Sequence, residues 1–179
     1  PAPAEMPPVS TTSNELLPAD KSGKPCIFVF KAVSEPHLGD MSFFRVYSGE
    51  IHPGMDLINE QTGATERLGQ IFVVNGKKRD EVQALYAGDV GATVKLKNTH
   101  VNNTLHDKSQ NLSLPPIVFP PPKVRIAIVN TKKGEEDKMA NALHHLHEED
   151  PTLLIEHSQE LKQLIIHGQG EMHLNTAKW

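Results

Sequence analysis

From Pro25 to about residue 114 the apolar positions fall in short runs separated by turn residues. "CIFVFKAV", "SFFRVYSG", "MDLINE", "ATERLGQIFVV" and "VGATVKL" are divided by "EPHLGD", "HPG", "TG", "NG" and "YAGD". Several strands at this spacing predict a closed or sandwiched antiparallel β unit. The runs mix alternation with continuous apolar stretches, as strands do when a barrel interior and a covered outer face are both apolar. In "LPPIVFPPP", Pro116 and Pro120 to Pro122 bracket an apolar trio, so residues 115–122 read as a stiff connector.

Beyond it the pattern changes type. "KVRIAIVN" reads as a strand, and Thr131 to Asp150 as a helix with Met139, Leu143 and Leu146 on one face. Asp150-Pro151 ends that helix, because a residue before proline is pushed out of helical geometry. "TLLIEHS" and "LKQLIIH" read as strands before a second helical start. The order β-α-β-β-α is five sixths of a ferredoxin-like β-α-β-β-α-β unit. Residues 1–24, rich in Pro, Ala, Ser and Thr, show no periodic pattern and read as a linker, with Leu16 and Leu17 docking on a neighbour.

Composition narrows the partners. A balance of 18 Lys+Arg against 22 Asp+Glu leaves a formal net charge of −4, so contact with nucleic acid needs a local basic patch. The single cysteine, Cys26, allows no internal disulfide and suits a reducing compartment. No apolar run approaches the length of a membrane span, and "PAPAEMPP" has neither part of a signal peptide. The missing initiator Met and the abrupt C-terminus suggest a piece of a longer chain.

Three constellations carry candidate chemistry. His144, His145, His147, His157, His167 and His173 crowd the second half, but their spacings fit no tetrahedral zinc site, and surface histidines are the expectation. Gly168-Gln169-Gly170 lacks the third glycine of a dinucleotide loop and the Gly-Lys-Ser/Thr of a P-loop. It reads as a strand-to-helix turn in which glycine supplies positive φ. Lys77, Lys78 and Arg79 in "NGKKRDE" form a basic hairpin tip suited to RNA phosphates, diluted by Asp80 and Glu81. Cys26, at the start of an apolar strand, reads as a core residue, and no nucleophile or carboxylate pair suggests catalysis.

Phe30-Lys31, Glu35-Pro36, Gly39, "FFRVYSG" (Phe43 to Gly49), Gly54 and "LYAGDV" (Leu85 to Val90) resemble the second domain of bacterial translation elongation factor G. "EEDKMANALHHLHEEDPTL" and "GQGEMHL" resemble its third domain, and "PAPAEMPPV" resembles the segment by which the family leaves its GTPase domain. The resemblance implies a six-stranded antiparallel β-barrel over 25–114, then an α+β ferredoxin-like domain over 123–179 that stops in its second helix. It also implies a role in translocation during protein synthesis, through ribosome-contacting and interdomain-coupling surfaces.

By that resemblance the partners are ribosomal RNA, ribosomal proteins and the remaining domains of a cytoplasmic parent. GTP and Mg belong to the parent's nucleotide domain, and these residues hold no catalytic, cofactor or metal site. Arg45, Lys77, Lys78 and Arg79 become the candidate contacts to ribosomal RNA. A cut domain would leave an open edge and an uncovered strip around Leu154, Ile165 and Ile166. Asn102-Asn103-Thr104 replaces a usual Gly-Asp-Thr, Asn175 a usual Glu, and His37-Leu38 an aromatic-Val pair. A divergent paralogue or a ribosomal protection protein on the same plan therefore stands beside the housekeeping factor. A His-rich metal-dependent enzyme is the alternative from another class.

Overall fold

The computed structural model describes residues 2–35, 39–129, 134, 136–158, 160 and 163–177. The Pro36 to Leu38 stretch and the expected helix start at Thr131 lie outside them. The chain divides into two compact units, Pro1–Ile117 and Val118–Trp179. Among the described residues no helix is long and apolar enough to cross a membrane.

The first unit opens with a short 3-10 turn, Pro3–Glu5, and a hairpin of β1 (Val9–Ser10) and β2 (Leu16–Leu17). Ten further strands follow: β3 (Cys26–Glu35), β4 (Gly39–Ser48), β5 (Glu50–Ile51), β6 (Asp56–Asn59), β7 (Thr65–Arg67), β8 (Ile71–Asn75), β9 (Lys78–Val82), β10 (Leu85–Tyr86), β11 (Val90–Val94) and β12 (Thr104–His106). Eight of them make one antiparallel sheet in the order β7-β6-β12-β3-β4-β11-β8-β9, and β5 pairs with β10. Among the described residues the hydrogen-bonded sheet counts eight strands, where the resemblance implies a six-stranded barrel.

The apolar run of β3 is continuous because both of its faces are covered. Ile27 and Val29 join one cluster with Phe44, Val46, Leu57, Ile71 and Leu105. Cys26 and Phe28 point the other way, onto Leu112 and Leu114, with Leu17 against them. Cys26 is fully buried, and burial pushes its thiol up to about 12. Residues 2–24 pack on this unit: Thr11 is buried, Leu17 docks as expected, and Leu16 stays exposed.

"ATERLGQIFVV" needs correction, since it is two strands rather than one. Leu68 is buried, and its backbone is drawn to Met55 (2.8 Å) and Gly54 (2.7 Å). The chain therefore leaves β7 at one side of the sheet and re-enters as β8 near the other. Leu57 of β6 and Ile71 of β8 nonetheless share one core cluster.

In the second unit β13 (Val124–Ile128) precedes α1 (Glu136–Glu149), then β14 (Leu154–Ser158), β15 (Gln163–Gly168) and α2 (Glu171–Thr176). The sheet order is β13-β15-β14, all antiparallel. Met139, Leu143 and Leu146 face the sheet together as the helical spacing predicts, joined by Ile166 and Leu174. Of the expected uncovered strip only Leu154 is exposed, at 42%, while Ile165 and Ile166 are buried at 6% and 5%. Ile166 lies under the helices, and Ile165 is flanked in the sheet by Ala127 and Glu156.

The Gly168–Gly170 turn is also corrected. Gly168 is not among the positive-φ glycines, and Gly170 is extended at φ 179°. Glycine at 168 instead allows close packing: a Cβ there would meet Leu174 Cδ2 at 2.7 Å, and the Leu174 side chain would have to shift.

Candidate nucleic-acid interface

The β8–β9 hairpin turns through Gly76 and Lys77, with Asn75 paired to Lys78. Gly76 takes φ 60°, the positive angle that such tight hairpins need at their first central residue. The hairpin separates the three expected cations. Lys77 is exposed at the tip. Lys78 binds Asp80 at 2.9 Å with both side chains largely exposed. Arg79, half-buried and opposite Val74, leaves β9 on the other face, because successive strand residues alternate.

Arg45 stands exposed on β4, between Phe28 and Val90. Extending the Ala92↔Phe72 register by two residues sets Val90 beside Val74, and Val74 is paired with Arg79. Arg45 and Arg79 thus face the same side in one cross-strand row, about three strand spacings or ~14 Å apart. Lys77 stands at the hairpin tip, and Lys78 lies on the opposite side of β9 from that row.

Sequence reading missed the ring partners of this face. The Arg45 guanidinium lies 5.3 Å from the Tyr47 ring centroid, and the Lys31 ammonium 5.8 Å from that of Phe43. The period-two spacing Phe43, Arg45, Tyr47 was the available signal, since it puts all three on one side of β4. Each cation is held over a ring that attracts it, yet keeps its charge toward solvent. Val90 is 51% exposed beside Arg45, and Glu81, bonded to Gln70 at 3.0 Å, lies on the same side of β9 as Arg79. Such a face can hold phosphates through its cations and offer apolar surface between them.

The histidines are dispersed. His144 and His145 are exposed on α1. His147 Nδ1 lies 2.6 Å from the Leu153 carbonyl and donates to it. His167 Nε2 bonds Glu156 at 2.7 Å. His173 Nδ1 accepts the Gln169 amide at 3.1 Å, which leaves Nε2 to donate to Asp150 at 2.8 Å. At Asp150 burial pulls the carboxyl pKa up, but hydrogen bonds from Thr152 and His173 outweigh it and hold the group below its ordinary value. Among the described residues no group of three or more His, Cys, Asp or Glu could hold a metal ion.

Residues 24–108 match the family model described as elongation factor G domain 2. Residues 119–179 match the one described as elongation factor G, domain III. The chain belongs to the elongation factor G family. It is also similar to a crystal structure of a protein from Thermus thermophilus, with a TM-score of 0.75 and 33% sequence identity. That match covers 87% of this chain and 24% of the other, so the chain spans about a quarter of its relative's length. The local geometry accommodates Asn102 and Asn103. Asn102 occupies φ 73°, where glycine is usual and asparagine is among the few tolerated side chains. Asn103 Oδ1 accepts from the His100 amide and the Asn59 side chain, both at 2.9 Å, as an aspartate oxygen also would.

Proposed function

We propose that the chain supplies ribosome-contacting and interdomain-coupling surfaces of an elongation-factor-G-like protein acting in translocation. The observation that carries this reading is the consecutive match of domain 2 and domain III of one translation-factor family on a single chain. The first unit is then a translation-factor β-barrel, supported by one apolar cluster drawing on strands near both ends of its sheet. The second is a ferredoxin-like domain, supported by the β13-β15-β14 order, which is that fold's order without its last strand.

On this reading the longer protein is a cytoplasmic GTPase whose nucleotide and Mg2+ are held outside these residues. The residues here do not fit that group. The space beside Gly168 is filled by Leu174 and His173, so the turn is not a phosphate cradle. Arg45, Lys77, Lys78 and Arg79 are the contacts proposed for ribosomal RNA, with Lys31 added to the same side as Arg45.

Cosedimentation with small ribosomal subunits tests the proposal. Binding should weaken with salt, and each removed cation should flatten the salt slope by about one unit or less. No binding at low salt, or a quadruple alanine variant with unchanged affinity and slope, would sink it.

A further inference from the structure

We propose that Asn102 is a latch that sets where the chain becomes free of the first unit: Ile117 is the last residue held, and the free connector begins at Val118. The Asn102 side chain grips one residue twice. Its Oδ1 accepts the Ile117 amide at 2.8 Å, and its Nδ2 donates to the Ile117 carbonyl at 3.2 Å. This pairing fixes the orientation of the side-chain amide, because only its oxygen can meet an N–H.

The preceding residues are held by other means. Leu112 and Leu114 are buried against Cys26 and Phe28. The Ser113 carbonyl accepts the Thr12 amide at 2.8 Å, and its hydroxyl accepts Gln61 Nε2 at 2.8 Å. The Leu114 amide donates to Thr104 Oγ1 at 3.0 Å. Pro115 and Pro116 have no amide proton to offer, so the next backbone donor is that of Ile117. The Ile117 and Val118 side chains are 40% and 91% exposed, so burial adds little hold there.

On the far side, the Pro120 carbonyl accepts Gln169 Nε2 at 2.9 Å and the Lys123 amide bonds Gly168 at 2.8 Å. With the latch closed, only Val118 and Phe119 lie between held residues. With it open, the free span reaches back to Pro115, adding roughly 10 Å of reach at 3.3–3.6 Å per residue. Asn102 therefore gives the connector two lengths. The polar latch is the part that can open without disturbing the apolar anchor at Leu112 and Leu114.

Asn102→Gly tests this in the whole chain, since glycine keeps the left-handed backbone and removes both bonds. Asn102→Asp retains only the acceptor for the Ile117 amide. Amide exchange should become about tenfold faster at Ile117 in Asn102→Gly, with Leu114 and the β3 and β4 amides unchanged. In Asn102→Asp the Ile117 rate should stay within about threefold of the parent. Backbone relaxation should show residues 115–117 as mobile as Val118 only in the glycine variant. Unchanged Ile117 exchange in Asn102→Gly overturns the latch. So does an aspartate variant that exchanges as fast as the glycine one, or loss of Leu114 protection together with Ile117.

Discussion

The two units solve the same problem, covering a sheet, with different resources. In the first, ten fully or nearly fully buried side chains meet in one cluster. A polar layer lies beside them. Asn59, fully buried, donates to the Asn98 carbonyl at 2.9 Å and to Asn103 at 2.9 Å. Glu66, 4% exposed, accepts from the Lys97 amide at 3.2 Å, the Asn98 amide at 2.5 Å and the Thr99 hydroxyl at 3.2 Å. A buried carboxylate is tolerable only when so satisfied, and once satisfied it fixes the loop that holds it.

In the second unit four buried residues form the cluster among those described, surrounded by partly buried ones. An apolar groove of about 500 Å³ stays open between Ile126, Ile128, Met139, Leu143 and Leu174. Its polar ties include histidine–carboxylate pairs at partly exposed positions. The difference teaches that a closed core goes with a buried polar layer, whereas a half-covered sheet keeps its histidine–carboxylate pairs at partly exposed positions. The first unit should therefore be the more stable of the two.

The largest expected effect is a paired core truncation. Leu57→Ala should cost about 3–5 kcal/mol, because its fully buried site cannot collapse. Leu143→Ala should cost only about 2 kcal/mol, because that side chain already borders open space. Denaturant midpoints of the two units, followed by separate probes, measure both. Equal costs would break the comparison.

Next comes Glu66→Ala, expected to cost about 2–3 kcal/mol in the first unit by leaving two amides and a hydroxyl without their acceptor. Thermal unfolding measures it, and a neutral result would make the polar layer incidental.

A smaller effect concerns Asp150. Because its folded pKa lies below the ordinary value of an aspartate, its contribution to the second unit is fully present above that ordinary value. That contribution is lost as pH falls through the folded pKa. His173→Ala should raise the Asp150 pKa toward 3.8, since it removes one of the bonds that hold it down. A carboxyl titration by NMR reads this directly, and an unmoved pKa would assign the shift to Thr152 alone. The smallest effect is Lys78→Ala, expected to change stability by less than about 0.5 kcal/mol, because its pair with Asp80 is exposed.

Much of this contrast was legible in the chain. Apolar runs between turn residues marked β3 and β4, and the 3.6 period of Met139, Leu143 and Leu146 marked α1. What stayed hidden depends on distant partners. Nothing local in "ATERLGQ" shows that Leu68 is pulled inward by Met55, or that Glu66 will be buried under a loop some 30 residues ahead. At the interface the residue types were readable, but their sides were not. Lys77, Lys78 and Arg79 are adjacent in sequence, yet the hairpin sends Lys78 and Arg79 to opposite faces. The ring under Arg45 needed only the alternation of β4 to be noticed, whereas the ring under Lys31 depends on the β3–β4 register, which shifts between Val29 and Lys31.

Amide exchange on the whole chain as a dilute monomer tests the central claim most directly. The account predicts that amides in β3, β4, β11 and β12 outlast those in β14, β15 and α2, by about 100-fold or more in the slowest-exchanging set. Equal protection in the two units would contradict it.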